Sequence, residues 1–251
     1  MTPSTKEHPA HLRLPLADQT VVLIGGTSGI GLATARAARA LGAEVILTGR
    51  DPGRLEQAAQ DVGARSSAAF DATDPAALDG FFTSLTDPID HIFVTAGGSY
   101  YSRVVDMDLD KVRGAIDEHL VLPIDVARHA VGRVRAGGTL LFMTGTAARH
   151  PAEGSAVAGI FAGALPALVA NLALEIGPIR VNLIAAGFVD TPLSASILGG
   201  DLDKRRAELR ATLPVRRVTE PEDVAALAIH IMTNAALTGA TYDIDGGQQL
   251  L

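Results

Sequence analysis

Residues 21–35 read V-V-L-I-G-G-T-S-G-I-G-L-A-T-A: an apolar run, a glycine-rich turn, then an alanine-rich helical pattern. No other segment limits the fold as much. A buried strand has to leave its sheet, turn at once and enter a helix that packs back on it. In such a unit Gly25 permits the tight turn, Gly29 lets backbone approach a ligand, and Gly31 allows close contact between helix and strand. The helix then opens with free N–H groups, an arrangement that binds anions.

The alternation begun there runs through the chain. Apolar runs at Val21–Gly25, Glu44–Thr48, Ser67–Phe70, His91–Ala96, Thr139–Thr144, Arg180–Ala185 and Thr241–Ile244 read as buried parallel strands. Helical patterns lie between them near 29–42, 53–62, 74–86, 107–135, 153–176 and 220–234. The expected fold is α/β: a single Rossmann-type domain over 18–251, a doubly wound parallel seven-stranded sheet with helices on both faces. Residues 1–17 lack the apolar core of a signal peptide and read as a disordered arm. The polar segment 187–218 has no strand pattern and is expected as a mobile flap over the carboxyl ends of the strands.

Composition narrows the partners. A net charge of −7 argues against a nucleic-acid partner, because phosphates need a basic surface. The chain has no cysteine, which excludes disulfides and thiolate metal sites and fits a cytoplasmic, reducing setting. Residues 154–174 carry no charge and are long enough to span a bilayer. Pro166, Asn171 and their place between two strands favour a helix buried by the sheet on one side and a second subunit on the other. No membrane is expected. The histidines at 8, 11, 91 and 230 lack ligand-like neighbours, so no metal site is expected either.

The turn and helix N-terminus point to the pyrophosphate of a dinucleotide. The end of the second strand chooses between NAD and NADP. Gly49 stands where an NAD reader carries a carboxylate for the ribose 2′-hydroxyl, and Arg50 follows. A carboxylate there would repel a 2′-phosphate by about 4 kcal/mol for unit charges 4 Å apart at an effective dielectric near 20. Arg50 can instead donate two parallel hydrogen bonds to it. The alternative is a surface arginine paired with Asp51. NADP(H) is the expected cofactor.

These features resemble the short-chain dehydrogenase/reductase family over residues 18–251. Its T-G-x-x-x-G-I-G turn matches Ile24–Gly31, with Ile24 for the usual Thr. Its Asp after the third strand matches Asp71, followed by Ala72. Its N-N-A-G segment matches Val94-Thr95-Ala96-Gly97, and its P-G-x-x-x-T segment matches Ala186–Thr191 with Ala186 for Pro. Asp245-Gly246-Gly247 matches its C-terminal signature. The resemblance implies that Thr27, Ser28 and Ile30 contact the phosphates and ribose, Asp71 the adenine, and Val189 and Thr191 the carboxamide. It also implies a homo-oligomer, most simply a tetramer, with helices 107–135 and 153–176 packing against their own copies.

The catalytic positions depart from the family. Aligned through Leu172-Ala173-Leu174-Glu175, its proton-donating Tyr falls on Ala158 and its Lys on Ala162. Its Ser falls on Thr146, or on Gly145, with Thr144 on the same strand end, and its relay Asn falls on His119. Pro123, four residues after His119, leaves the His119 carbonyl free of its helical donor. Candidate replacements for the missing acid are His119, Tyr100, Tyr101, His150 and Arg149. The sequence thus supports an NADP(H)-dependent oxidoreductase acting on a carbonyl or alcohol through a non-standard proton donor. Its rival is an NADP(H)-binding protein without turnover, with a regulatory or assembly role.

Overall fold

Alternate residues of the first strand serve two apolar layers, Val21 and Leu23 facing one, Val22 and Ile24 the other. Both are fully buried, as expected for a strand covered on each face. In the computed structural model, which describes residues 14–251, seven strands form one parallel sheet in the order β3-β2-β1-β4-β5-β6-β7. They are β1 (Thr20–Ile24), β2 (Glu44–Gly49), β3 (Ser66–Ala69), β4 (Ile89–Val94), β5 (Val134–Gly145), β6 (Arg180–Ala186) and β7 (Thr241–Ile244). The order reverses between β1 and β4, and in such sheets the crevice at that switch point binds ligands.

One layer packs α1 (Gly29–Ala40), α2 (Pro52–Val62) and α9 (Pro221–Thr233) on the sheet. The other packs α3 (Pro75–Ser84), α4 (Leu109–Ile116), α5 (Leu122–Ala130) and α6 (Ala156–Glu175). Proline opens α2, α3 and α9, and the carboxylates of Asp51 and Asp74 accept N–H groups at the starts of α2 and α3. By length and hydropathy α6 could cross a membrane. Val157, Phe161, Leu165, Val169 and Leu172 are nevertheless buried in the layer that covers the sheet.

Several details differ from the sequence expectations. The helix expected over 107–135 is divided: a 3-10 turn at Val104–Asp106, then α4, a π turn at Asp117–Val121, and α5. In the π turn the Leu122 N–H reaches the Asp117 carbonyl, five residues back, just before Pro123, which brings no N–H. The chain leaves α5 at Ala130 and β5 begins at Val134, earlier than expected. The segment 187–218 is largely helical, with α7 (Pro192–Leu198) and α8 (Leu202–Thr212), and Leu209, Leu213 and Val218 cluster with Phe188 beneath it. Of the expected disordered arm, residues 1–13 lie outside the described residues. Leu14–Ala17 depart from that expectation: the Leu16 side chain is fully buried and its N–H donates to the Leu41 carbonyl at 3.1 Å.

A buried arginine, Arg180 at the start of β6, closes the far end of α9. Its guanidinium donates to the carbonyls of Ile231, Met232, Asn234 and Leu237 and, through Nε, to that of Gly137. The positive charge thus sits on the negative end of a helix dipole, with carbonyls in place of a carboxylate.

Candidate functional site

At the switch point the β1–α1 turn lies against the end of β4. Gly25 has φ +100, and a Cβ there would fall 2.5 Å from the Ala96 nitrogen. A Cβ on Gly31 would fall 2.4 Å from the Gly25 carbonyl oxygen, so the third glycine is required by helix–strand contact. Thr95 fixes the turn from the neighbouring strand, its hydroxyl donating to the Gly25 carbonyl at 3.0 Å. The helix start is open: Ser28 makes no side-chain cap bond, and no acidic residue lies in the first turn of α1. Free N–H groups without a competing carboxylate suit a pyrophosphate.

A cleft of about 170 Å³ opens beside this turn. It gathers Gly25, Thr27, Ser28, Arg50, Asp71, Ala72, Ala96 and Gly97 from the expected cofactor set. Thr48, Gly49, Arg54, Phe70, Thr73, Thr95, Glu118 and Leu122 complete its wall. Gly29, Ile30, Gly31, Val189 and Thr191 are outside this lining. Thr191 still comes close to the turn, since a Cβ on Gly29 would sit 3.3 Å from its Cγ2. The Asp71 carboxylate accepts from the Thr73 N–H at 3.0 Å and hydroxyl at 2.8 Å. These bonds, with Arg50 nearby, hold its pKa below the ordinary carboxylate range.

The end of the cleft at Gly49 has a steric character that the sequence does not reveal. A Cβ on Gly49 would fall 2.4 Å from Thr27 Cγ2, so no side chain fits there without moving Thr27. Arg50 is exposed and forms no hydrogen bond or ion pair with another described residue. Asp51, the alternative partner weighed from sequence, is taken by Arg54: its carboxylate caps α2 and lies 3.4 Å from Arg54 Nε.

The catalytic candidates scatter. His119 lies in the π turn, where Nε2–H donates to the Gly98 carbonyl at 2.6 Å, and its ring stacks on Phe161 with centroids 4.7 Å apart. Its neighbour Glu118 accepts the Gly98 N–H at 2.8 Å, so consecutive residues clamp both sides of Gly98. The Tyr100 hydroxyl accepts from the Asp108 N–H at 3.0 Å, whereas Tyr101 is exposed. Thr144 and Thr146 are half-buried, and Ala162 is buried. Arg149 is committed elsewhere, ion-paired with Asp243 and hydrogen-bonded to Gln249, and His150 is exposed.

An open, mainly apolar groove of about 760 Å³ lies between the segment Ser102–Val105, the loop after β5 and the start of α6. Val104, Val105, Ala147, Ala148 and Ile160 line it, and Gly159, next to Ala158, forms part of its floor. The segment after β6 is pinned beside the site. Asp190 receives a two-pronged pair from Arg206 of α8, at 2.7 and 2.8 Å, and its N–H donates to the Thr219 carbonyl. Sequence reasoning did not single out Thr95, Glu118, Arg54 or Arg206. For the two arginines the only signal was a charge one helical turn from a carboxylate or in a polar stretch.

Comparison with known proteins extends over nearly the whole chain. The profile of a family described as enoyl-(acyl carrier protein) reductase matches residues 25–249. A short-chain dehydrogenase/reductase of Stachybotrys chlorohalonatus is 30% identical over 247 residues, 91% of this chain and 96% of that protein. The structure of a reductase/Diels-Alderase from Malbranchea aurantiaca superposes with a TM-score of 0.88 at 25% identity, covering 95% of this chain and 99% of that one. A small-chain dehydrogenase solved in complex with NADPH superposes with a TM-score of 0.78 at 27% identity, over 93% and 99% of the two chains.

Proposed function

This chain belongs to the short-chain dehydrogenase/reductase family, and from that premise we propose that it is an NADP(H)-dependent oxidoreductase acting on a small carbonyl or alcohol. The observation that carries the choice of cofactor is the 2′ end of the cleft. A side chain at Gly49 would have to displace the Thr27 methyl, which disfavours an NAD-type carboxylate there, and Arg50 stands beside it with no hydrogen bond or ion pair to a described residue. The NADPH-bound relative of the same fold is consistent with that reading. The glycine turn and the open N-terminus of α1 would hold the pyrophosphate, Asp71 the adenine, and Val189 with Thr191 the carboxamide. NADPH, when bound, supplies a hydride to the substrate carbon.

The rest falls to the chain's own residues. The groove of Val104, Val105 and Ile160 receives the apolar body of the substrate. With Ala158 and Ala162 in place of a phenol and an ammonium, the proton for the substrate oxygen comes from His119. The Gly98 carbonyl occupies Nε2–H and sets the ring's orientation, so the proton leaves from Nδ1. Thr146, at the position of the family's Ser, orients the oxygen, and Tyr100 and Tyr101 are the next candidates for the proton.

The test is NADPH consumption over a panel of carbonyl compounds, with the product identified. His119→Ala should cost about 10² to 10⁴ in rate, the range for losing a general acid. Turnover that survives His119→Ala would refute this proton donor. The second reading, a cofactor binder without turnover, is favoured by the two alanines. It gains if no compound is reduced and Ala158→Tyr with Ala162→Lys is equally inert. We also propose self-association through the segment from α4 to α5 and through α6, whose outer faces expose Ile116, Val121, Ile124 and Leu174.

A further inference from the structure

We propose that Arg54 is a second specificity residue of the cofactor cleft, binding the adenosine 2′-phosphate together with Arg50; the inference rests on the NADP(H) reading above. Both guanidinium-bearing residues line the same cleft, with Thr27, Ser28 and Gly49 beside them. Arg54 stands in the first turn of α2, where its N–H donates to the Asp51 carboxylate at 2.9 Å and its Nε lies 3.4 Å from the same group. Asp51 therefore parks the Arg54 side chain at the rim of the cleft and leaves Arg50 with no ion pair among the described residues.

The side chain of Arg54 is 71% exposed, so no packing role explains its position. A solvated pair of this kind is weak. A phosphate monoester carries about −1.5 to −2 charge near neutrality and three acceptor oxygens, so it competes well against a single carboxylate for this guanidinium. Two guanidinium groups can share those oxygens as parallel hydrogen bonds. NADH presents only a neutral hydroxyl at that point, a far weaker acceptor for Arg54 than a charged phosphate.

Dissociation constants for NADPH and NADH, read from cofactor fluorescence, test the assignment without any need for turnover. The proteins compared are the full chain, Arg54→Gln, Asp51→Asn and the double variant. Asparagine keeps an acceptor at the helix cap while removing the charge. Arg54→Gln should weaken NADPH by about threefold to tenfold and leave NADH within about twofold. The same loss should appear in the Asp51→Asn background. Unchanged NADPH affinity in Arg54→Gln overturns the proposal. A loss that vanishes once Asp51 is neutral also overturns it, because Arg54 would then only screen that carboxylate. Equal affinity of the unaltered protein for NADPH and NADH is a different failure, that of the cofactor reading itself.

Discussion

His91 should make this protein acid-sensitive from a pH at which its carboxylates are still ionised. The ring is buried on β4, with Nε2 within 2.6 Å of the Gln19 amide oxygen, which fixes Nε2 as the donor. Nδ1 is buried with no hydrogen-bond partner among the described residues. A second proton would therefore enter a dry site, near the Arg180 guanidinium. Burial first, and then that charge, lower its pKa from 6.5 to about 3. The sign follows directly. Above about pH 7 the imidazole is neutral in both folded and unfolded chains, and the stability it preserves is fully present. As pH falls below 6.5 the unfolded chain takes up a proton that the folded chain refuses, and stability declines until the folded value is reached. The full displacement corresponds to roughly 5 kcal/mol, of which about 3 kcal/mol is lost between pH 7 and pH 4. Urea unfolding of the protein and of His91→Leu at several pH values isolates this contribution, since both chains share every carboxylate. The gap in stability between them should shift by about 3 kcal/mol in favour of His91→Leu as pH drops from 7 to 4. Parallel pH profiles would mean that His91 titrates alike in the folded and unfolded chains.

Two further outcomes follow from the structure. Arg206→Ala removes the two-pronged pair with Asp190, so amide exchange in 189–191 and 202–212 should speed up by about tenfold relative to the sheet; unchanged exchange would show that the pair holds nothing in place. Light scattering at micromolar concentration should give an oligomer, most simply a tetramer, and Leu174→Lys, with its exposed apolar side chain on α6, should shift it to smaller species; a monomeric starting protein would end that proposal.

The sheet was legible because its inner strands are buried on both faces and read as apolar runs; all seven strands lie where the runs fall, with ends shifted by a few residues. The edge strands β3 and β7 are not buried as expected, because each has a neighbour on one side only. The steric roles of Gly25 and Gly31 were legible for a related reason, since a strand, a turn and a helix packed together leave no room for a Cβ. Contacts between distant segments were not. A 3.6-residue period through 107–135 says which face is apolar, but not that the ladder widens to a π turn before Pro123. Nor does it say that Glu118 and His119 will both turn to Gly98. Arg180 reads as the polar start of a strand, and only the fold brings the end of α9 to it. Gly49 was read as a missing carboxylate; its contact with Thr27, 22 positions earlier in the chain, needs the packed β1–β2 edge to be visible.

Paired equilibrium titrations of the protein and of Arg50→Ala with NADPH and NADH decide whether the cleft beside the glycine turn is built for NADP(H). NADPH should bind the protein at least about tenfold more tightly than NADH, and Arg50→Ala should remove most of that advantage while leaving NADH little changed. Equal affinities for the two cofactors, or full NADPH affinity in Arg50→Ala, would show that the cleft does not select the 2′-phosphate.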